Sequence, residues 1–142
     1  MKNYTLSLCI VLLAGCGSDD QGTPAALDDI VGVWDQSESY GQTFDEWYFV
    51  IRENGELVDY DYQGDSVDMG ENCYESETVQ LTDEGKGNFI IDDGYDEYSV
   101  RITISGNSMI MKGSSDEGSF TSKIPRSSRL ESSFTPLCSE FY

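Results

Sequence analysis

Histidine is absent from this 142-residue chain, so the commonest general base and the commonest zinc ligand are both missing. Catalysis by a Ser-His-Asp or Cys-His arrangement is therefore excluded. Carboxylate pairs of the glycosidase type remain chemically available, but 27 acidic residues in one small chain make chance pairs unavoidable. We predict that the protein is not an enzyme and uses no cofactor or metal ion.

Basic residues are also scarce, with eight Lys and Arg against 27 Asp and Glu and a formal net charge of −19. This charge excludes nucleic acid as a partner, because a polyanion is repelled by an acidic surface. A cationic protein partner and simple solubility both remain open. The length and the 38% hydrophobic fraction predict one domain with one modest core.

The one long hydrophobic run is at the N-terminus, where Lys2 precedes an apolar stretch from Leu6 to Leu13 that only Ser7 interrupts. This pattern is typical of a signal peptide, and it is too short to span a bilayer as a stable helix. The sequence Leu13-Ala14-Gly15-Cys16 resembles the bacterial lipobox. The resemblance implies cleavage before Cys16 and anchoring by several acyl chains on that cysteine. The alternative is an ordinary signal peptide with a chance cysteine.

The expected layout is a signal peptide over residues 1–15, a lipidated polar tether over 16–26 and a domain over 27–142. Because Gly17 and not Asp follows the cysteine, the sorting rule of lipoproteins favours the outer membrane, with the periplasmic side preferred. The pair Asp19-Asp20 resembles an acidic surface-export tag, which keeps the cell surface open as the alternative. Loss of Lys2 leaves seven basic residues and a net charge of −20 (7 − 27).

The four cysteines separate by the compartment that this layout implies. Cys9 leaves with the signal peptide, Cys16 carries lipid, and Cys73 and Cys138 remain in an oxidising space. We predict a disulfide between Cys73 and Cys138. Two unpaired thiols or a metal pair are the alternatives.

From Gly32 onward the hydrophobic pattern has a period of two, which predicts β-strands. Asn54-Gly55 is the preferred pair of a two-residue type I′ turn, and it predicts a hairpin over Glu46 to Tyr62. Pairing outward from this turn puts six apolar or aromatic residues on one face, as the pairs Ile51 with Val58, Phe49 with Tyr60, and Trp47 with Tyr62.

A second turn, Gly106-Asn107, predicts another hairpin in which Ile104 lies opposite Met109 and Ile102 opposite Met111. Thr23-Pro24 predicts the start of a short helical turn that runs through Ile30. Five further strands are predicted at Val31 to Gln36, Glu75 to Thr82, Asn88 to Asp92, Gly118 to Ile124 and Leu130 to Phe134. The fold class is therefore all-β: a small antiparallel meander β-barrel of eight to nine strands, with a short N-terminal helical turn.

Gly32-Val33-Trp34, which follows the helical turn and opens the meander, resembles the Gly-x-Trp signature of lipocalins and of bacterial lipocalin-like lipoproteins. The resemblance covers roughly Leu27 to Arg129. It implies that Trp34 closes the base of the barrel and that a late arginine, Arg126 or Arg129, packs over its ring. The alternative is that Trp34 is an ordinary core aromatic of another small β-barrel or sandwich.

Asp59-x-Asp61-x-Gln63-Gly64 begins like a calcium loop, but its twelfth position is Gly70 where a bidentate glutamate is needed. We therefore assign no metal site, and a loose cation site at Asp65, Asp68 and Glu71 stays open as an alternative.

Five aromatic residues are predicted to point inward and are the candidate lining of a ligand cup: Trp47, Phe49, Tyr60, Tyr62 and Tyr98. A barrel of about eight strands either holds one small ligand or is filled by its own side chains. The leading hypothesis is a lipid-anchored envelope protein that binds a small hydrophobic or amphipathic ligand. One alternative is an envelope inhibitor or immunity-type protein that meets a cationic enzyme through its acidic surface. The other is a structural or assembly role.

Overall fold

The strands follow one another closely along the chain in the computed structural model, which describes residues 22–38, 46–64, 72–115 and 118–138. One α-helical turn, α1, spans Leu27–Ile30, and a 3₁₀ turn spans Glu131–Ser133. The strands are β1 (Thr23–Pro24), β2 (Gly32–Asp35), β3 (Trp47–Ile51), β4 (Glu56–Gln63), β5 (Cys73–Gly85), β6 (Asn88–Asp92), β7 (Glu97–Ser105), β8 (Ser108–Ser115) and β9 (Gly118–Pro125).

Strands β2 to β9 form one antiparallel meander in which each strand pairs with the next. A bridge between Trp34 and Arg126 brings the end of β9 back to β2, so the sheet curls into a nearly closed barrel. Short β1 lies beside β7, with Thr23 opposite Ile104. The prediction of a small antiparallel meander barrel of eight to nine strands is confirmed.

Apolar residues lie on both faces of this sheet. The barrel interior holds the larger cluster, whose buried members are Ala25, Ile30, Trp34, Phe49, Ile51, Leu81, Phe89, Val100, Ile102, Met109, Met111 and Ile124. A second cluster lies outside β2 to β5 and consists of Val33, Val50, Val58, Tyr60, Tyr74 and Phe134. Phe134 comes from the segment after β9, so residues 126–138 fold back over the outer face of the barrel and bury it.

The second predicted hairpin is confirmed. Strands β7 and β8 meet at Gly106-Asn107, with Ile104 opposite Met109 and Ile102 opposite Met111. Ile102 and Met109 are completely buried. This hairpin therefore supplies the centre of the interior cluster.

The predicted register of the first hairpin is wrong by one residue. Ile51 lies opposite Leu57, and Phe49 lies opposite Asp59. The loop has three residues, since Arg52 donates to the carbonyl of Glu56 (2.8 Å) and accepts from the amide of Gly55 (3.0 Å). Gly55 takes a φ of +83°, and such a loop is a type I turn closed by a left-handed glycine and not a type I′ turn.

Two further local predictions differ from the structure. Thr23 and Pro24 are extended and pair with β7, so the helical turn begins later, at Leu27, although it ends at Ile30 as predicted. The predicted strand from Leu130 to Phe134 is a 3₁₀ turn. It caps the outer cluster and adds no strand to the sheet.

The predicted disulfide between Cys73 and Cys138 is present and joins residues 65 apart in the sequence. It ties the segment after β9 to the start of β5. Among the described residues, no helix has the length and apolar character needed to cross a membrane.

Candidate functional site

One end of the barrel, here called the closed end, is sealed by Trp34 and Arg126. Trp34 is 1% exposed, and its indole Nε1 donates to the carbonyl of Ile30 (2.8 Å). The guanidinium of Arg126 lies 4.2 Å from the centroid of the Trp34 ring and donates to the carbonyl oxygens of Val31 and Asp29 at 2.8 Å each. Helical turn α1 lies across this end, because both side chains bind its carbonyl groups.

Gly32 is required beside this contact. Its φ is +135°, and a Cβ atom on it would lie 2.5 Å from Nη1 of Arg126. Of the two arginines that the sequence left open, Arg126 packs over Trp34. Arg129 instead lies on the outer face, with its guanidinium carbon 4.5 Å from the Phe134 ring and 4.8 Å from the Tyr48 ring.

The five aromatic residues of the predicted ligand cup do not come together. Phe49 is buried in the interior cluster, whereas Tyr60 belongs to the outer cluster and Tyr62 packs against it. Tyr60 stacks on Phe134 with ring centroids 4.7 Å apart. The reason is the one-residue change of register, which exchanges the two faces of β4 relative to β3. Tyr98 lies on the interior side by its pairing with Ile91, but it is 38% exposed.

The fifth aromatic residue, Trp47, takes part in a polar cluster inside the opposite end of the barrel. Its Nε1 donates to both carboxylate oxygens of Asp59, at 2.8 and 2.9 Å, and Nε2 of Gln36 donates to one of them at 2.8 Å. Burial raises the pKa of Asp59 to about 6, in spite of these donors, and the nearby charges of Asp61 and Glu77 add to the increase.

This polar cluster was not predicted from the sequence. In the predicted register Asp59 would lie on the hairpin face opposite the one that carries Phe49 and Tyr60, whereas the observed register places it inside the barrel opposite Phe49. Burial also raises the pKa of Asp61, which faces inward two residues further along β4. A buried carboxylate with two side-chain donors is a feature that only the three-dimensional pairing reveals.

A groove of about 670 Å³ lies outside the barrel, near the closed end and beside the segment after β9. We call it the outer groove. Its walls are formed by the chain around β2, the end of β3 and the segment after β9, and it is lined by Val31, Gly32, Val33, Val50, Ile51, Arg52, Glu53, Asn54, Arg126, Ser127, Arg129, Leu130 and Glu131.

The polar rim of the outer groove is built around Arg52. Its guanidinium pairs with Glu56 at 2.7 Å and with Glu131 at 2.5 Å, and Glu131 also accepts from the hydroxyl of Tyr60 at 3.0 Å. These donors hold the pKa of Glu131 below its usual value. The pairs fix the 3₁₀ turn against the first hairpin, so the groove has a defined wall.

Arg129 forms the other polar edge of the same segment. It pairs with Glu46 at 3.1 Å and donates to the hydroxyl of Tyr74 at 3.1 Å. Tyr74 in turn donates to Glu46, which closes a small ring of hydrogen bonds at the edge of the outer cluster. Leu130, which lies between Arg129 and Glu131 in the sequence, has a side chain that is 71% exposed and lines the groove.

The described residues contain no group of three His, Cys, Asp or Glu side chains that could hold a metal ion. Asp65, Asp68 and Glu71, the alternative cation site, lie outside the described residues, as do Cys16 and the signal peptide. Comparison of the chain with protein-family models, with curated proteins and with solved structures finds no match.

Proposed function

We propose that the protein is a lipid-anchored protein of the bacterial envelope, similar to lipocalin-like lipoproteins, and that its outer groove binds a small amphipathic ligand with an anionic head group. The observation that carries the ligand proposal is the groove itself, an apolar surface with arginine at its rim. The signal peptide, the lipid on Cys16 and the outer-membrane location are part of the same proposal. The Gly32-x-Trp34 pattern and the contact of Trp34 with Arg126 support the family resemblance.

The size and lining of the outer groove suit one small molecule. Ligand sites commonly occupy ~300 to 1,000 Å³ and combine an apolar lining with a few polar groups. Val31 is partly exposed and Leu130 is exposed, so these two residues supply the accessible apolar surface of the groove, whereas Val33 and Val50, which also line it, are buried. An alkyl chain or flat ring would therefore replace water over Val31 and Leu130.

The charge of the groove decides which head group it would accept. Arg52, Arg126 and Arg129 line it, which is three of the eight basic residues in a chain with 27 acids. Arg52 and Arg129 pair with carboxylates, whereas Arg126 donates to backbone carbonyls and makes no ion pair with the described residues. The positive charge of Arg126 is therefore the one that an anionic head group can neutralise.

The test compares dodecanoate with dodecylamine, which share a chain length and differ in the sign of the head group. We expect calorimetric titration to show saturable binding of dodecanoate and at least tenfold weaker binding of dodecylamine. Leu130→Glu should weaken dodecanoate binding, because it places a negative charge in the groove. Leu137→Glu is the matched control, since Leu137 is also exposed, at 54%, but lies outside the groove.

Equal binding of the two amphiphiles, or equal loss in the two leucine variants, would refute a site in the outer groove. Intact-mass measurement of the membrane-bound protein tests the anchor separately. Acyl groups on Cys16 after cleavage at residue 15 are expected, and Cys16→Ser should release the protein from the membrane. An unmodified Cys16 would reject the anchor and leave the groove proposal standing.

The second candidate function is an inhibitor or immunity-type protein that binds a cationic enzyme. The net charge favours it, because opposite charges accelerate encounter and select the partner. Its test is the salt dependence of binding to a basic envelope-attacking enzyme, and an affinity that does not change with ionic strength would remove it.

A further inference from the structure

Strand β5 is longer than its neighbours, and part of one edge pairs with no strand of the described residues. Its first edge pairs with β4 from Cys73 to Gln80. Its second edge pairs with β6 only from Gln80 onward, and at the other end it has a single bridge from Tyr74 to Leu137. Among the described residues, no strand pairs with this second edge between Tyr74 and Gln80.

The hydrogen bonds on either side of the gap show which backbone groups are open. The amide of Tyr74 donates to the carbonyl of Pro136 and its carbonyl accepts from the amide of Cys138, both at 2.9 Å, so the groups of Tyr74 point away from β4. The amide of Leu81 points the other way, toward β4, and donates to the carbonyl of Gly55 at 2.8 Å. Because successive residues of a strand alternate, the N–H and C=O groups of Ser76 and Thr78 point into the gap.

Four consecutive side chains at the gap, from Glu75 to Thr78, are exposed. A cavity of about 270 Å³ lies where β6 leaves β5 and is lined by Glu56, Thr78, Val79, Gln80, Asp92, Asp93 and Gly94. No basic residue lines this cavity. The gap is thus a strand-sized opening with hydrogen-bonding groups along one wall and carboxylates around it.

We propose that this opening, here called the β5 slot, binds an extended basic segment of a partner protein as an added strand. The segment would bond to the backbone of Ser76 and Thr78, and Lys or Arg side chains on its interior face would reach Glu75 and Glu77. Gln80 lies six residue steps beyond Tyr74, which is ~20 Å of strand at about 3.3 Å per residue. The slot therefore accepts a short segment whose ends leave the sheet beside Leu137 and Asp92.

Charge selects among the occupants of such an edge. Charged side chains on an edge strand normally prevent pairing with another chain, but that protection fails against a strand of opposite charge. A second copy of this protein would place its own Glu75 and Glu77 next to these two residues, and the like negative charges would repel each other. The inference rests on the second candidate function, a cationic protein partner, and it is independent of the outer groove.

The test titrates the purified full-length chain with an octapeptide of alternating Lys and Thr and with its Glu and Thr counterpart. A third peptide has the Lys and Thr sequence with N-methyl groups on its four central residues, which keeps the charge and removes the donors on both edges. We expect the first peptide to bind, the Glu peptide not to bind, and N-methylation to weaken binding by about tenfold or more. In NMR spectra, the amide chemical shifts that change on binding should centre on Ser76 and Thr78.

Two matched pairs of protein variants locate the site. Ser76→Pro removes an N–H that faces the gap and leaves the β4 ladder intact, and it should weaken binding by about tenfold, whereas Ser76→Ala should not. Circular dichroism confirms that both variants fold. Glu75→Gln with Glu77→Gln should weaken binding, and Glu53→Gln with Glu84→Gln, which removes two exposed charges elsewhere, should have a smaller effect.

Equal affinity for the methylated and unmethylated Lys peptides, or equal affinity of Ser76→Pro and Ser76→Ala, would mean attraction by charge alone and would overturn strand addition. Dimers in sedimentation that Ser76→Pro abolishes would assign the slot to a second copy and also overturn it. A basic enzyme that binds in a salt-dependent manner but equally well to Ser76→Pro would leave the second candidate function intact and reject only the slot.

Discussion

Asp59 is expected to make the free energy of unfolding fall as the pH rises through the mildly acidic range. Its pKa is about 6 in the folded protein against an ordinary value of 3.8. An acid whose pKa is higher in the folded protein than in the unfolded chain binds its proton more tightly in the native state. Its contribution to the free energy of unfolding is therefore complete below pH 3.8 and is lost as the pH rises through about 6. The difference of about two pKa units corresponds to ~3 kcal/mol as an upper figure, at 1.36 kcal/mol per unit.

The perturbation that isolates this effect is Asp59→Asn. The amide has the same shape, cannot ionise, and its oxygen can occupy the position that accepts from Trp47 and Gln36, each at 2.8 Å. We expect the stability of Asp59→Asn relative to the wild type to increase between pH 4 and pH 7 by up to ~3 kcal/mol. Urea denaturation monitored by tryptophan fluorescence measures this difference at each pH.

The control is Glu84→Gln, which removes one negative charge from an exposed position on β5. The stability change of this variant measures the effect of removing one negative charge from a protein with a net charge of −19, and it is subtracted from that of Asp59→Asn. If the difference between Asp59→Asn and the wild type stays constant from pH 4 to pH 7, or follows that of Glu84→Gln, Asp59 is not a buried acid and its placement inside the barrel is wrong.

Three further predictions concern stability measured by urea denaturation. Cys138→Ser should lower the free energy of unfolding by about 4 kcal/mol, from the chain entropy of a loop that spans 65 residues, and a loss below ~1 kcal/mol would contradict a constraint on the unfolded chain. Trp34→Phe removes the indole that donates to Ile30 (2.8 Å), and the unpaired buried carbonyl should cost about 1 to 3 kcal/mol; an unchanged stability would argue against the closed end as described. Gly87→Ala should be less stable than Gly94→Ala by ~1 to 3 kcal/mol. Both glycines have positive φ, but only at Gly87 would a Cβ atom lie 2.7 Å from the carbonyl oxygen of Ile102. Equal losses of stability in the two variants would remove this steric explanation.

The meander and the second hairpin could be predicted because their signals are local. Gly106-Asn107 fits a two-residue loop between two strands, and the alternation of Ile102 and Ile104 with polar residues indicates one buried face. The disulfide could be predicted from the small number of cysteines. Each of these features depends on residues close in sequence or on a count.

The register of the first hairpin could not be predicted from its turn pair alone. Asn54-Gly55 fits the centre of a two-residue loop, and it also fits the last two positions of a three-residue loop, which is the one that forms. Alternation could not decide between the two, because Tyr48 and Val50 are covered on the outer face while Phe49 and Ile51 are covered inside. A strand that is buried on both sides loses the period that fixes its register.

Both candidate sites depend on contacts that are distant in sequence. The outer groove exists because residues 126–138 return across β2 and β3, and the polar cluster around Asp59 exists because three strands meet in one register. The β5 slot depends on a difference in length between β5 and β6. None of these leaves a local pattern in the amino-acid sequence.

The return of residues 126–138 over the outer face also sets an order of events during synthesis. Val33, Val50 and Tyr60 are synthesised before Phe134, which helps to shield them from water. A nascent chain that has been synthesised only as far as β9 therefore exposes an apolar surface on the outer face of the sheet, which chaperones can recognise. Because the proposed signal peptide would direct the chain out of the cytoplasm, the outer cluster would be completed only after residues 126–138 have also been exported.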